Sequence, residues 1–246
     1  MEQRTYNQYC ATARTLDLVG ERWTLLLIRE LLTGPKRFGD LQASLRGLGT
    51  GLLAARLKHL EREGLARKVT LPPPARASAY ALTEAGEELG PAVLALARWG
   101  MRWALGDRRE GETFHPGWAV LGMEACFVPE ASAGLHLVYE FRVGDEVFHA
   151  EVDDGAVHLV HGPAQRPDAS IAMSEDVLIA MASGRSSMGA AVEDGSAAVS
   201  GDPAAVRRLP DLFHIPVPRS RNPEQAAQEA EQEAEQEAEQ AGRAGE

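Results

Sequence analysis

The chain has 246 residues, 44% of them hydrophobic and 25% charged, with a net charge of −11. That length suits one large domain or two ordinary ones, the composition is globular, and no apolar run approaches the roughly 20 residues that span a bilayer. Two cysteines, Cys10 and Cys126, exclude a disulfide framework. The first residues, Met1-Glu2-Gln3-Arg4-Thr5-Tyr6, lack the apolar core of a signal peptide, so a cytoplasmic location is expected.

The charge is unevenly spread. Residues 1–110 hold 17 basic and 12 acidic side chains, a net of +5, whereas residues 111–246 hold 8 and 24, a net of −16. A basic half joined to an acidic half suits a polyanion-binding domain followed by one that does not bind polyanions.

Helical periodicity begins near Cys10, with Leu16, Val19, Trp23, Leu26, Leu27 and Leu31 on one side of a helix that Thr33-Gly34-Pro35 stops. Phe38, Leu41 and Leu45 give one face of a short second helix. Gly47-Leu48-Gly49 turns the chain, Thr50 is the expected N-cap of the next helix, and Leu53, Leu57 and Leu60 form its inward stripe until Gly64. Residues 65–71 and 78–82 read as paired strands, with Pro72-Pro73-Pro74 as an exposed tip. A further helix starts at Thr83-Glu84 and carries Leu89, Val93, Leu96, Trp99, Gly100 and Trp103 on its apolar side. Two short helices followed by a β-ribbon is the layout of a winged helix-turn-helix, whose second helix fits the DNA major groove.

The residues along this stretch also resemble a family. Cys10-Ala11-Thr12-Ala13-Arg14, Leu18-Val19-Gly20-Glu21-Arg22-Trp23-Thr24, Arg29-Glu30-Leu31, Gly34-Pro35-Lys36-Arg37-Phe38, Arg56-Leu57, Leu60-Glu61, Gly64-Leu65, Tyr80, Leu82-Thr83 and Gly86 occur in the order seen in the HxlR-type regulators. The resemblance covers residues 9–105. It implies a dimeric DNA-binding transcription factor whose first and last helices in this region pair two subunits. Arg37 opens the short helix, and Thr50 and Gly51 open the expected recognition helix, whose N-terminal end faces base edges in this motif. Helical spacing turns Ala54, Lys58 and Arg62 outward, with Ala55 and Arg56 on the flanks. Arg56 has a second reading as an internally paired arginine. Arg67, Lys68 and Arg76 put charge on the wing, with Arg76 at its tip as the minor-groove candidate. Gly49-Thr50-Gly51-Leu52-Leu53-Ala54-Ala55 departs from the family in offering few polar side chains. Thymine methyl contacts, close backbone approach and DNA shape are expected to supply specificity instead.

Residues 106–115 are polar and set the expected domain boundary. Beyond them Leu135, Leu137, Tyr139 and Phe141 alternate with polar or small residues, and residues 147–152, 157–160 and 169–173 follow as strands. Ser174 caps a helix through Ala182. Residues 188–192 form another, 197–199 a fifth strand, and 203–213 a last helix, so an α+β domain is expected. Gly144-Asp145-Glu146-Val147-Phe148, Arg166-Pro167-Asp168-Ala169-Ser170-Ile171 and Val199-Ser200-Gly201-Asp202-Pro203 give this part a resemblance to the sterol carrier protein type-two fold. That resemblance implies an apolar tunnel and no catalytic role. Candidate lining residues are Trp118, Tyr139, Phe141, Phe148, Met173 and Met181, with Leu137, Leu178 and Met188. Their alternative is simple core packing. Methionine suits irregular apolar ligands.

The expected organisation is therefore a DNA-binding and dimerisation domain over residues 1–108, a sterol-carrier-like effector domain over 114–215, and an acidic low-complexity tail over 219–246. Cys10, just before the first helix, is a redox candidate. His158 and His161 lack the helical spacing and partners of a metal site. No metal, cofactor, membrane partner or catalytic centre is expected. The expected function is a homodimeric transcriptional regulator that binds an operator and responds to a small apolar effector. Two alternatives stand beside it: a carrier whose first domain only dimerises, and a thiol-redox-responsive regulator acting through Cys10.

Overall fold

In the computed structural model, which describes residues 5–219, the first apolar segment forms two helices rather than one. Helix α1 spans Ala11–Val19 and α2 spans Thr24–Leu32. Gly20 caps α1, and Trp23 turns the chain in the left-handed region at φ 79°. The apolar spacing of four from Val19 to Trp23 to Leu27 continues across this turn, so periodicity alone cannot see the break. Helix α3 (Phe38–Ser44) and α4 (Thr50–Arg62) follow. Gly49, not Thr50, occupies the N-cap of α4, which makes Thr50 its first helical residue. Leu53, Leu57 and Leu60 are fully or almost fully buried, as their spacing required, and they pack with Leu27, Ile28 and Leu41.

Strands β1 (Ala66–Thr70) and β2 (Ser78–Leu82) pair antiparallel from Ala66 opposite Leu82 to Thr70 opposite Ser78. The other edge of β2 is joined by Lys36, whose N–H and carbonyl both bond to the backbone of Tyr80. This ties the ribbon to the entry of α3. Helix α5 (Glu84–Glu87) is capped by Thr83, whose hydroxyl accepts from the Gly86 N–H and donates to the Gly64 carbonyl at 2.6 Å. Helix α6 (Gly90–Trp103) comes next, and the chain divides into two compact units within it, between Ala95 and Leu96. The boundary expected at 106–115 falls in the connection after α6.

The second unit contains helix α7 (Pro116–Cys126), a short 3-10 turn at Pro129–Ser132, and the strands β3 (His136–Val143), β4 (Glu146–Asp153), β5 (Ala156–His161), β6 (Ala169–Met173) and β7 (Ala197–Gly201). Helices α8 (Glu175–Ala182) and α9 (Met188–Glu193) lie between β6 and β7, and α10 (Pro203–Leu212) follows β7. The sheet order is β5-β4-β3-β6-β7, with β3 and β6 parallel and the other pairs antiparallel. This is the α+β layout expected from the strand and helix patterns. Ser174 caps α8 by accepting from the Val177 N–H. Sequence periodicity missed α7, because its residues are apolar on all sides and leave no stripe.

The two aspartate motifs of this unit act as clamps. Asp168 exchanges backbone bonds with Val138: its carboxylate accepts from the Val138 N–H and its own N–H donates to the Val138 carbonyl, both at 2.7 Å. The Asp168 carbonyl accepts from the Asp202 N–H at 2.7 Å, and the Asp202 carboxylate caps α10 at Ala204. Gly201 sits at φ +118°, and a Cβ there would lie 2.3 Å from the Asp168 carbonyl oxygen. These residues thus lock β6 and β7 to β3. The acidic tail expected from residue 219 lies, from residue 220 onward, outside the described residues.

Candidate functional site

With its leucine stripe inward, α4 turns Thr50, Gly51, Ala54, Ala55 and Lys58 to solvent. Its N-cap, Gly49, offers no side-chain acceptor, and a Cβ at Gly51 would meet nothing within 4 Å, so the first turn lies open to close approach. Arg37 is exposed at the N-cap of α3, where its N–H donates to the Asp40 carboxylate at 3.0 Å. Arg67 is exposed on β1, and Arg76 is exposed in the loop after the three prolines with φ 38°. Among the described residues no carboxylate pairs with Arg37, Lys58, Arg67 or Arg76.

Arg56 is placed otherwise. Its Nη2 meets Glu21 Oε2 at 2.6 Å and its side chain is 19% exposed, so it ties α4 to the turn between α1 and α2. It is partly buried and paired within the unit, the second of the two readings its sequence allowed. Arg62 pairs with Glu63 at 2.8 Å, and Lys68 lies 3.7 Å from Glu61 with its ammonium over the Tyr80 ring. Sequence reasoning passed over Arg46, which is exposed in the turn between α3 and α4. Its place between the two helices of the motif was the available signal.

Cys10 is exposed at the N-cap of α1. Hydrogen bonding from the backbone of Ala13, and then of Thr12, holds its thiol below the ordinary value, as a helix N-terminus should. Cys126 is buried, and burial pushes its thiol up to about 11, with Arg98 opposing.

The second unit encloses an apolar cavity of about 370 Å³. Phe141, Phe148, Met173 and Met181 line it, as expected, together with Leu178 and Met188. Met123, Val143, Leu209 and Phe213 complete much of the wall. Four of the six methionines of the chain therefore face one space. Phe141 and Phe148 stack as a cross-strand pair with centroids 5.2 Å apart, and Phe213 meets Phe141 edge-on. Tyr139 and Trp118 lie outside this lining. Tyr139 is fully buried, donates its hydroxyl to the Ala205 carbonyl at 2.9 Å, and so anchors α10 as a core residue. Its phenol is pushed up to about 12, chiefly by burial and also by the charge of Asp168. Trp118 lies on α7 beside the His115 ring, with centroids 5.7 Å apart. Also on α7, the carboxyl of Glu124 is raised by burial, with His158 opposing. Among the described residues, no group of three or more His, Cys, Asp or Glu side chains is placed to hold a metal, and no helix is long and apolar enough to cross a membrane.

Both units match known families in part. The family model for the HxlR-like helix-turn-helix matches residues 18–107, and the model for the alkyl sulfatase C-terminal domain matches residues 128–219. The second match neither bears out nor overturns the sterol-carrier resemblance read from the motifs of this unit. An HTH-type transcriptional regulator of Mycobacterium tuberculosis is 42% identical over 90 residues, which is 37% of this chain and 56% of that protein. The chain therefore spans about half the length of this relative. The HTH-type transcriptional regulator YvaP of Bacillus subtilis is 32% identical over 90 residues, covering 37% of this chain and 83% of that protein. Among solved structures, the reduced form of the transcriptional regulator YodB of Bacillus subtilis is similar at 31% identity and a TM-score of 0.34, covering 38% of this chain and 92% of YodB. Through this helix-turn-helix region, the chain belongs to the HxlR-like helix-turn-helix family.

Proposed function

We propose that the protein is a homodimeric, DNA-binding transcriptional regulator whose second unit takes a small apolar ligand. The observation that carries the DNA-binding part is the open first turn of α4, in a unit that also exposes Arg37, Lys58, Arg67 and Arg76, none of them paired with a carboxylate among the described residues. Such cations meet phosphate, while Thr50, Gly51 and Ala54 approach the base edges. The family's regulators favour a non-enzyme. The cavity and its methionines support the ligand, since a space near the lower end of the roughly 300–1,000 Å³ range of small-molecule sites takes a compact apolar body. A ligand acts on DNA binding only if it binds two dimer geometries unequally.

The test is binding to the protein's own upstream DNA across a salt series. Removing Lys58 or Arg76 by alanine should weaken binding on all sequences and reduce the salt slope by about one for each lost phosphate contact. Arg56→Ala should leave the slope unchanged and lower the thermal midpoint instead. Binding that shows no salt dependence in the parent protein would sink the regulator reading and leave the carrier alternative. A second reading, regulation through thiol oxidation, is favoured by the exposure and lowered pKa of Cys10.

A further inference from the structure

A second cavity of about 580 Å³ adjoins the apolar one, and its chemistry is different. Arg98, Arg102, Arg219 and His214 line it, with Glu130 as its one acid. The arginines come from two separate segments, α6 and the chain after α10, and neutral groups hold them in place. Arg98 Nε donates to the Ala125 carbonyl at 2.7 Å. The Arg102 and Arg219 guanidiniums lie over the Trp103 ring at 5.7 and 5.9 Å, and the Arg219 N–H donates to the Arg102 carbonyl at 2.6 Å. Among the described residues, none of the three has a carboxylate at ion-pair distance, and Glu130 is exposed and pairs with none of them.

Arg98 and Arg102 belong to the half of the chain with a net +5 and Arg219 to the acidic half, and all three side chains are exposed. Three arginines thus line one concavity whose single acid pairs with none of them. Like charges held together repel, and an anion in the cavity removes that cost. The planar guanidinium fork matches carboxylate, sulfate and phosphate oxygens. The two cavities also share His214, Pro216 and Val217 as a common wall. A polar end on a molecule in the first therefore has a route to the second.

We propose that Arg98, Arg102 and Arg219 bind the anionic group of an amphipathic organic acid whose apolar body occupies the methionine-lined cavity. The body of this ligand rests on the apolar-ligand reading given above; the head rests on the arginines alone. On α6, Arg98 and Arg102 stand four residues apart and share one face. The head group would therefore be gripped by the helix that also leaves the DNA-binding unit.

The experiment compares decanoate with decan-1-ol by titration calorimetry on the full chain, its Arg98→Gln/Arg102→Gln variant and its Arg219→Gln variant. Arg219→Gln keeps the backbone bond to Arg102, so it serves if the double variant folds poorly. Decanoate should bind the parent about tenfold or more tightly than the alcohol, the value of a charged hydrogen bond. Each variant should lose that preference while the alcohol binds as before. Equal binding of acid and alcohol to the parent, or a preference untouched in the variants, overturns the anion pocket and leaves the apolar reading standing. A separate arm measures thermal midpoints in sodium sulfate and in sodium chloride at equal ionic strength. If neither decane compound binds but sulfate protects the parent more than the variants, the arginine pocket stands, and the apolar reading fails together with the amphipathic ligand. If neither compound binds and sulfate protects all proteins alike, the proposal is overturned.

Discussion

The two cysteines occupy opposite environments, and their chemistry should differ accordingly. Cys10 sits exposed where the backbone of Ala13 and Thr12 stabilises a thiolate, whereas Cys126 is buried beside Met101, with its Sγ 3.8 Å from the thioether sulfur. A thiol with a lowered pKa reaches its thiolate at lower pH, and the thiolate is the nucleophile. Alkylation of Cys10 by iodoacetamide should therefore pass half-maximum at a lower pH than that of cysteine in an unstructured peptide. Cys126, raised to about 11, should stay unmodified in the folded protein at pH 8 and react only after unfolding. Peptide mapping by mass spectrometry after a pH series checks both statements. Equal labelling of the two thiols in the folded protein would contradict the placement of Cys126. Tyr139 gives a complementary lesson at this scale. It belongs to the same alternating strand as Phe141, so its sequence position suggested the cavity. Only the long-range bond to the Ala205 carbonyl, 66 residues away, shows that it is a pillar of the core.

Among the elements, the junction of ribbon and helix is the most constrained. A Cβ at Gly86 would lie 2.1 Å from the Leu65 carbonyl oxygen and 3.0 Å from a Leu82 methyl. Backbone cannot yield as a flexible side chain does, so Gly86→Ala must push α5 away from β1 and β2. The variant should lose about 1–3 kcal/mol, the usual cost of overpacking, and its thermal midpoint should fall. A midpoint equal to that of the parent would show that the close approach carries no strain. This element-level packing explains why the first unit was so legible. Leu53, Leu57 and Leu60 repeat along a single helix, and Thr83 with Gly86 forms a local cap, so each feature lies within a few residues of its partner. What escaped the sequence was non-local or featureless. Pairing of Lys36 with Tyr80 joins residues 44 positions apart. Helix α7 has no polar face to reveal its period. The turn at Trp23 preserves the spacing on either side of it. The arginine pocket was hidden for the first of these reasons, since Arg98 and Arg219 are separated by most of the second unit.

On the scale of the whole molecule, the proposed dimer makes a testable use of two exposed apolar side chains. Leu96 is 54% and Trp99 53% exposed on α6, three residues apart and therefore on one face. A second copy of the chain is the natural cover, because an isologous dimer buries the same patch twice. Covering each half-exposed side chain is worth about 1 kcal/mol, half the usual value for full burial. Leu96 and Trp99 from two subunits then contribute about 4 kcal/mol, or roughly a thousandfold in the dimer dissociation constant. The double variant Leu96→Glu/Trp99→Glu should lose at least this much, since it also brings like charges together. Sedimentation at micromolar concentration should show the parent as a dimer and the variant as a monomer. Affinity for a palindromic operator should fall with it, because one half-site then binds without the other. A variant that still sediments as a dimer would place the subunit contact elsewhere. It would also separate α6 from the pairing role that its family resemblance implies.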